Sequence, residues 1–304
     1  MSIIRTEALV KTFGPTRALD GLDLVVEPGE VHGFLGPNGA GKSTTIRILL
    51  GLMRHDSGTA RLFDRDPWRE AVELHKRLAY VPGDVTLWPG LTGGQCIDVL
   101  AAAHGDIDTQ RRDDLIERFE LDPTKKSRSY SKGNRQKVSL VAALSTHVEL
   151  LLLDEPTSGL DPLMERVFQD VITERRADGV TVLLSSHIMG EVEALADRVS
   201  IIREGRLASS GTLADLRRHT RSHVHALTLR PPALPASADL ALTADGDRTE
   251  VNGTIDADHV GQLVAALHDA GLHTLTVTPP SLDDLFLTNY ADAENAPLTS
   301  AGAR

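Results

Sequence analysis

Residues 36 to 44, GPNGAGKST, follow the apolar run VHGFL at 31 to 35 and precede the apolar-rich IRILLGLM. A five-residue apolar run bounded by glycine reads as a strand, and the pattern behind the loop reads as a helix. Strand, glycine-rich loop and helix in that order confine the chain to an α/β architecture, with ligands gathered at the carboxyl ends of buried strands. Gly36, Gly39 and Gly41 let the backbone bend so that successive amides point inward at an anion. The following helix presents its positive N-terminal end to the same charge. The G-x-x-x-x-G-K-S spacing then directs Lys42 to the β- and γ-phosphates of a nucleotide and the Ser43 hydroxyl to Mg²⁺.

A second stretch supplies what that loop lacks. LLLLDEP, residues 150 to 156, drives four leucines into Asp154 and Glu155, with Pro156 ending the ladder. Such a run predicts a strand covered on both faces, and its acids therefore stand at the carboxyl end of the sheet. Asp154 is the expected second anchor for Mg²⁺. Glu155 points differently and is the candidate general base, polarising a water in line with the γ-phosphate.

With 304 residues, 41% of them hydrophobic, the chain has room for one large or two moderate domains. Forty-three acidic against 32 basic residues give a net charge of -11. That balance disfavours sequence-independent attraction to nucleic acid, and no nucleic-acid partner is expected. The single cysteine, Cys96, leaves no internal disulfide, and the N-terminal MSIIRTEALVKTFG lacks the apolar core of a signal peptide. Apolar residues nowhere run for the roughly 18 positions a membrane helix needs. The expected location is therefore cytoplasmic, and any membrane passage would belong to another chain.

A phosphate loop and an acidic strand end fit kinases, GTPases and many ATPases alike. Three further stretches discriminate. YSKGNRQK at 130 to 137 resembles the signature motif of ABC ATPases, SGLD at 158 to 161 their D-loop, and TVLLSSH, ending at His187, their switch-histidine strand. They occur in the ABC order, and no guanine-specifying N-K-x-D is present. Over about residues 3 to 215 the chain is thus similar to the ATP-binding subunit of an ABC transporter. The resemblance implies an α/β fold: a P-loop NTPase core with antiparallel β and helical subdomains, the helical one at about 84 to 144. It implies ATP and Mg²⁺ as ligands. Asn38, Ala40 and Thr44 join the loop residues named above as nucleotide contacts, and Phe13 stacks on the adenine, unless it is a core aromatic. His187 would contact the γ-phosphate or the attacking water beside Glu155. Ser131 and Gly133 would reach the γ-phosphate held by a second copy of the chain, so that a head-to-tail homodimer encloses two ATP molecules.

The family pattern is broken at two places. In YVPGDVTLWPG, residues 80 to 90, Gly83 stands where the family has its Q-loop glutamine. Asp84 is a further candidate metal ligand there, the alternative being a contact through water. In the signature, Lys132 and Asn134 replace a glycine and a glutamine. Lys132 either adds positive charge near the second copy's phosphate or extends to solvent. Leu87, Trp88 and Leu91, just beyond the Q-loop, are either core or the surface that meets the membrane partner.

RPPALPAS, residues 230 to 237, reads as a linker or loop. Beyond and before it VHALTLR, RTEVNGT and LHTLTVT read as strands, and Val260, Leu263, Val264 and Leu267 recur at helical spacing. A small C-terminal α+β domain is expected over 216 to 304, with a disordered tail ENAPLTSAGAR. PSLDDLFLTNY at 280 to 290 resembles the C-terminal motif of subunits, the daunorubicin-resistance type among them, that drive drug, antibiotic or polysaccharide export through a separately encoded permease. The resemblance therefore implies an ATPase docked on a multispanning permease at the inner face of the cell membrane. The alternative is a soluble ABC ATPase acting on ribosomes or nucleic acid. Such factors usually carry two cassettes, and this acidic chain has one.

Overall fold

The computed structural model describes residues 2–103, 107–217, 221–235 and 238–278. The expected tail and the motif at 280 to 290 lie outside them. The chain divides into two compact units, Met1–Ser210 and Gly211–Arg304.

The first unit is built on two sheets. Strands β1 (Ile4–Phe13), β2 (Thr16–Val26) and β4 (Ser57–Leu62) form an antiparallel sheet in the order β2-β1-β4. β1 and β2 bury roughly alternate residues, as a sheet with one wet face does. The second sheet runs β5-β6-β7-β3-β8-β9, from β3 (Val31–Leu35), β5 (Leu78–Val81), β6 (Leu150–Asp154), β7 (Thr181–Ser186), β8 (Arg198–Arg203) and β9 (Arg206–Thr212). Its ladders from β5 through β8 are parallel, and every residue of β3, β6 and β7 is buried. This is the unbroken apolar reading expected for strands roofed on both sides.

Helix α1 (Lys42–Leu49) joins the two sheets. Ile46, Ile48 and Leu49 share one core with Ile4, Leu9, Leu24 and Val26 of the antiparallel sheet and with Phe34, Leu150, Leu152 and Leu183 of the parallel one. The helix that begins at the glycine loop is thereby fixed from both sides.

Helix α2 (Ala71–His75) precedes β5. Between β5 and β6 come α3 (Gly93–Ala102), α4 (Thr109–Arg118) and α5 (Lys132–Leu144). Each begins on a side-chain cap: the Thr92–Gln95 capping box, Asp108, and Ser131, whose Oγ accepts from Asn134 N at 3.2 Å. α5 is buried continuously from Gln136 to Leu144 and packs on α3 and β5. Helix α6 (Pro162–Ala177) starts on Asp161, which accepts from the amides of Leu163 and Met164. The short α7 (Met189–Leu195) lies against β3 and β7. Among the described residues no helix is long and apolar enough to cross a membrane.

The second unit holds α8 (Leu213–Arg217), the strands β10 (Ser222–Thr228), β11 (Asp239–Asp245), β12 (Arg248–Ile255) and β13 (Leu272–Thr278), and α9 (Val260–Asp269). Its antiparallel sheet runs β11-β12-β10-β13. β11 was not anticipated from the sequence: DLALTAD is short, rich in small residues and largely exposed. The expected apolar stripe on α9 is narrower than its spacing implies. Leu263 and Leu267 are fully buried against Val224, Ala226, Val251 and Ile255, whereas Val264 faces outward.

Leu152 is fully buried in the middle of β6. Leu152→Ala is expected to lower stability by about 2–5 kcal/mol, through lost transfer energy and the cavity left behind. Chemical denaturation followed by circular dichroism measures it.

Candidate nucleotide site

The parallel ladder decides which strand ends meet. β7 lies between β6 and β3, with Asp154 paired to Ser185 and Leu35 paired to Ser186. The glycine loop leaving β3, the acids leaving β6 and His187 leaving β7 consequently emerge side by side.

A cavity of about 150 Å³ is lined by Pro37, Asn38, Gly39, Gly41, Lys42, Ser43, Thr44 and Glu155. Gly36 and Ala40 are buried behind this wall, and Ala40 O accepts from Gly205 N at 3.0 Å. Gly41 caps α1 with φ 113, a left-handed conformation that favours glycine, and an added Cβ would lie 2.7 Å from Ala18 O. Lys42 Nζ donates to Gly36 O at 2.6 Å and Pro37 O at 3.2 Å. Burial lowers the pKa of this ammonium, and the charges of Glu155 and Asp154 work in the opposite direction. The loop's cation is therefore held in place by carbonyls of its own loop.

Asp154 is buried at the end of β6, and Ser185 Oγ donates to its Oδ1 at 2.5 Å. Glu155 turns away from it with φ 48, a strained conformation for a residue with a side chain. Its amide still bonds Ser185 O at 3.0 Å, so the ladder continues while the side chain is re-aimed. Glu155 Oε1 and His187 Nδ1 are 3.1 Å apart. Adjacent Asp and Glu thus face different surroundings because one peptide leaves the strand conformation.

The remaining predicted residues stand apart from the cavity. Phe13 ends β1, 45% exposed, with the Lys11 ammonium 5.5 Å from its ring centroid. Ser131 and Gly133 open α5, and an added Cβ on Gly133 would lie 2.4 Å from Gly159 O. Lys132 Nζ reaches Ser158 Oγ at 2.7 Å, so the signature is tied to the D-loop of its own chain. Gly83 lies next to the end of β6, 3.2 Å from Asp154 O by its missing Cβ, and Asp84 is exposed. Gln136, fully buried on α5, approaches Pro82 O at 3.5 Å. Leu87 is buried and Trp88 is half exposed, which divides the apolar cluster between core and surface.

Sequence reasoning missed Ser185, the partner of Asp154, although a hydroxyl in an otherwise apolar buried strand is a signal that something nearby needs a donor. It also missed Thr157, Ser186 and Glu191, which form a buried hydrogen-bonded group behind Glu155.

Comparisons with known proteins give the family and the fold. A family profile described as ABC transporter matches residues 19–158. The daunorubicin/doxorubicin resistance ATP-binding protein of Streptomyces peucetius is 36% identical over 300 residues, covering 93% of this chain and 91% of the relative. The linearmycin resistance ATP-binding protein of Bacillus subtilis is 32% identical over 303 residues, covering 94% and 97%. A solved ATP-binding subunit of an ABC transporter superposes with a TM-score of 0.67 at 31% identity, covering 71% of this chain and 92% of that one.

Substitutions at two glycines are expected to separate binding from turnover. Gly41→Ala is expected to weaken ATP binding by about tenfold or more, because the cradle must distort. Gly133→Ala should leave the affinity of the single chain within about twofold, because Gly133 lies outside the cavity, and reduce kcat by about tenfold, because an added Cβ would meet Gly159 O and shift the start of α5. Fluorescent-nucleotide titration and steady-state hydrolysis distinguish the two.

Proposed function

This chain belongs to the ATP-binding subunits of ABC transporters and is an ATPase of that family, and from this premise we propose that it powers a drug or antibiotic exporter whose membrane permease is a separate chain. The observation that carries the proposal is the meeting of Lys42, Ser43 and Glu155 in one cavity, with His187 hydrogen-bonded to Glu155. Resistance relatives aligned over nine tenths of the chain support the export reading over action on ribosomes or nucleic acid.

In this reading the amides of residues 36 to 44 and Lys42 bind the phosphates, and Lys42 exchanges its carbonyl partners for phosphate oxygens. Ser43 and Asp154 offer a hydroxyl and a carboxylate, the hard oxygen donors that suit Mg²⁺, which when bound would offset phosphate charge. Glu155 takes a proton from water as that oxygen attacks the γ-phosphorus, and the bond to the ADP oxygen breaks to give ADP and phosphate. His187 orients Glu155 and faces the same phosphate. Phe13 provides an exposed ring for the adenine.

Ser131 and Gly133 do not line the cavity of their own chain. They would close over the nucleotide of a second copy, and hydrolysis would release that contact. Trp88, exposed beyond Gly83, would contribute to the surface that receives the permease. The assembly would sit at the cytoplasmic face of the membrane.

Glu155→Gln keeps the size of the side chain and removes the base. It is expected to reduce hydrolysis by about a hundredfold or more and to accumulate an ATP-bound dimer visible by size-exclusion chromatography. Hydrolysis at the wild-type rate would refute the assignment. Magnesium titration of Asp84→Ala tests the remaining candidate ligand, with a rightward shift expected if its carboxylate contributes. Recovery of a stoichiometric multispanning protein with the tagged chain from native membranes tests the export reading.

A further inference from the structure

We propose that Glu191 is a positioning residue for hydrolysis, its buried carboxylate clamping the segment that follows Glu155 to the segment that precedes His187. The inference rests on the reading of Glu155 and His187 given above.

Glu191 lies on α7 and is 8% exposed. Thr157 Oγ1 donates to its Oε1 at 2.5 Å, and Ser186 Oγ donates to its Oε2 at 2.8 Å. Thr157 is two residues beyond Glu155, and Ser186 is the residue before His187. With the 3.1 Å contact between Glu155 and His187, the links form a closed ring through Glu155, Thr157, Glu191, Ser186 and His187. Ser186 Oγ also accepts from Ile188 N at 2.9 Å, which holds the chain on the other side of His187.

The ring has a rigid base. α7 packs on β3, the strand that carries the phosphate loop, and the close approach depends on Gly33, where an added Cβ would lie 2.2 Å from Val192 Cγ1. Met189 and Val192 already supply α7 with buried apolar contacts. A buried carboxylate is costly unless it is hydrogen-bonded, so an apolar side chain would seat the helix at lower cost. What the carboxylate adds is two directed bonds of fixed length to two different segments. These segments carry the base and its partner, and misplacement of such groups by about 1 Å can cost two orders of magnitude in rate.

The test compares Glu191→Ala, Glu191→Gln and Thr157→Val in steady-state ATP hydrolysis by the full-length protein, with thermal melting of each. Glu191→Ala is expected to lower kcat by about tenfold to a hundredfold while leaving KM for ATP within about twofold. Glu191→Gln, whose amide can still bond both hydroxyls, should recover kcat to within about threefold of wild type. Thr157→Val cuts one arm at nearly constant volume and should reduce kcat even if Glu191→Ala does not fold. An unchanged kcat in folded Glu191→Ala or in Thr157→Val overturns the proposal. So does a Gln variant as impaired as the Ala variant, or an equal loss of nucleotide binding. If Glu155→Gln is inactive while Glu191→Ala is normal, only the clamp fails; if Glu155→Gln is active, the underlying site assignment fails instead.

Discussion

The parallel pairing of β6 with β7 and of β7 with β3 is the constraint from which the rest of the site follows. Three strands that point the same way deliver three loops to one edge, and each loop brings a different chemistry. β3 ends in amides and an ammonium, β6 in two carboxylates, β7 in an imidazole. The ladder needs both faces covered, and α1 together with the antiparallel sheet covers the side on which Phe34, Leu152 and Leu183 are buried. The core that stabilises the unit and the geometry proposed to bind phosphate are therefore one arrangement.

At that edge the protein holds charge and strain that water would otherwise relieve. Lys42 is largely withdrawn from solvent and is retained by two carbonyls and two nearby carboxylates. Glu155 occupies a left-handed conformation, which costs about 1–3 kcal/mol and separates its side chain from that of Asp154. The bonds from Ser185 to Asp154 and to the Glu155 amide, and those of Glu191 to Thr157 and Ser186, are what keep these positions from relaxing. In the proposed hydrolysis, Asp154 and Glu155 held in this way need little reorganisation as charge develops on the substrate.

The contact between Gly133 and Gly159 joins the helical segment to the D-loop. Residues proposed to act on a second copy's nucleotide are thereby coupled to the segment that leads away from Glu155. The Lys132–Ser158 bond reinforces the same junction and gives that departure from the family signature a definite partner.

The linear sequence determined the strand, loop and helix around residues 31 to 49, the buried strand at 150 to 154, and the family, because these rest on local spacing and composition. It also marked the strands of the second unit except β11, whose small residues carry too weak a pattern. It did not determine which face of α9 is buried, since the spacing allows Val264 on either side. Nor did it reveal that Ser185 serves Asp154, that Glu191 bridges Thr157 and Ser186, or that Glu155 leaves the strand conformation. The bonds of Ser185 to Asp154 and of Glu191 to Thr157 depend on residues 31 and 34 positions apart being brought within hydrogen-bonding distance. Only the tertiary structure decides that, because the order of strands in a sheet is set by packing and not by order in the chain.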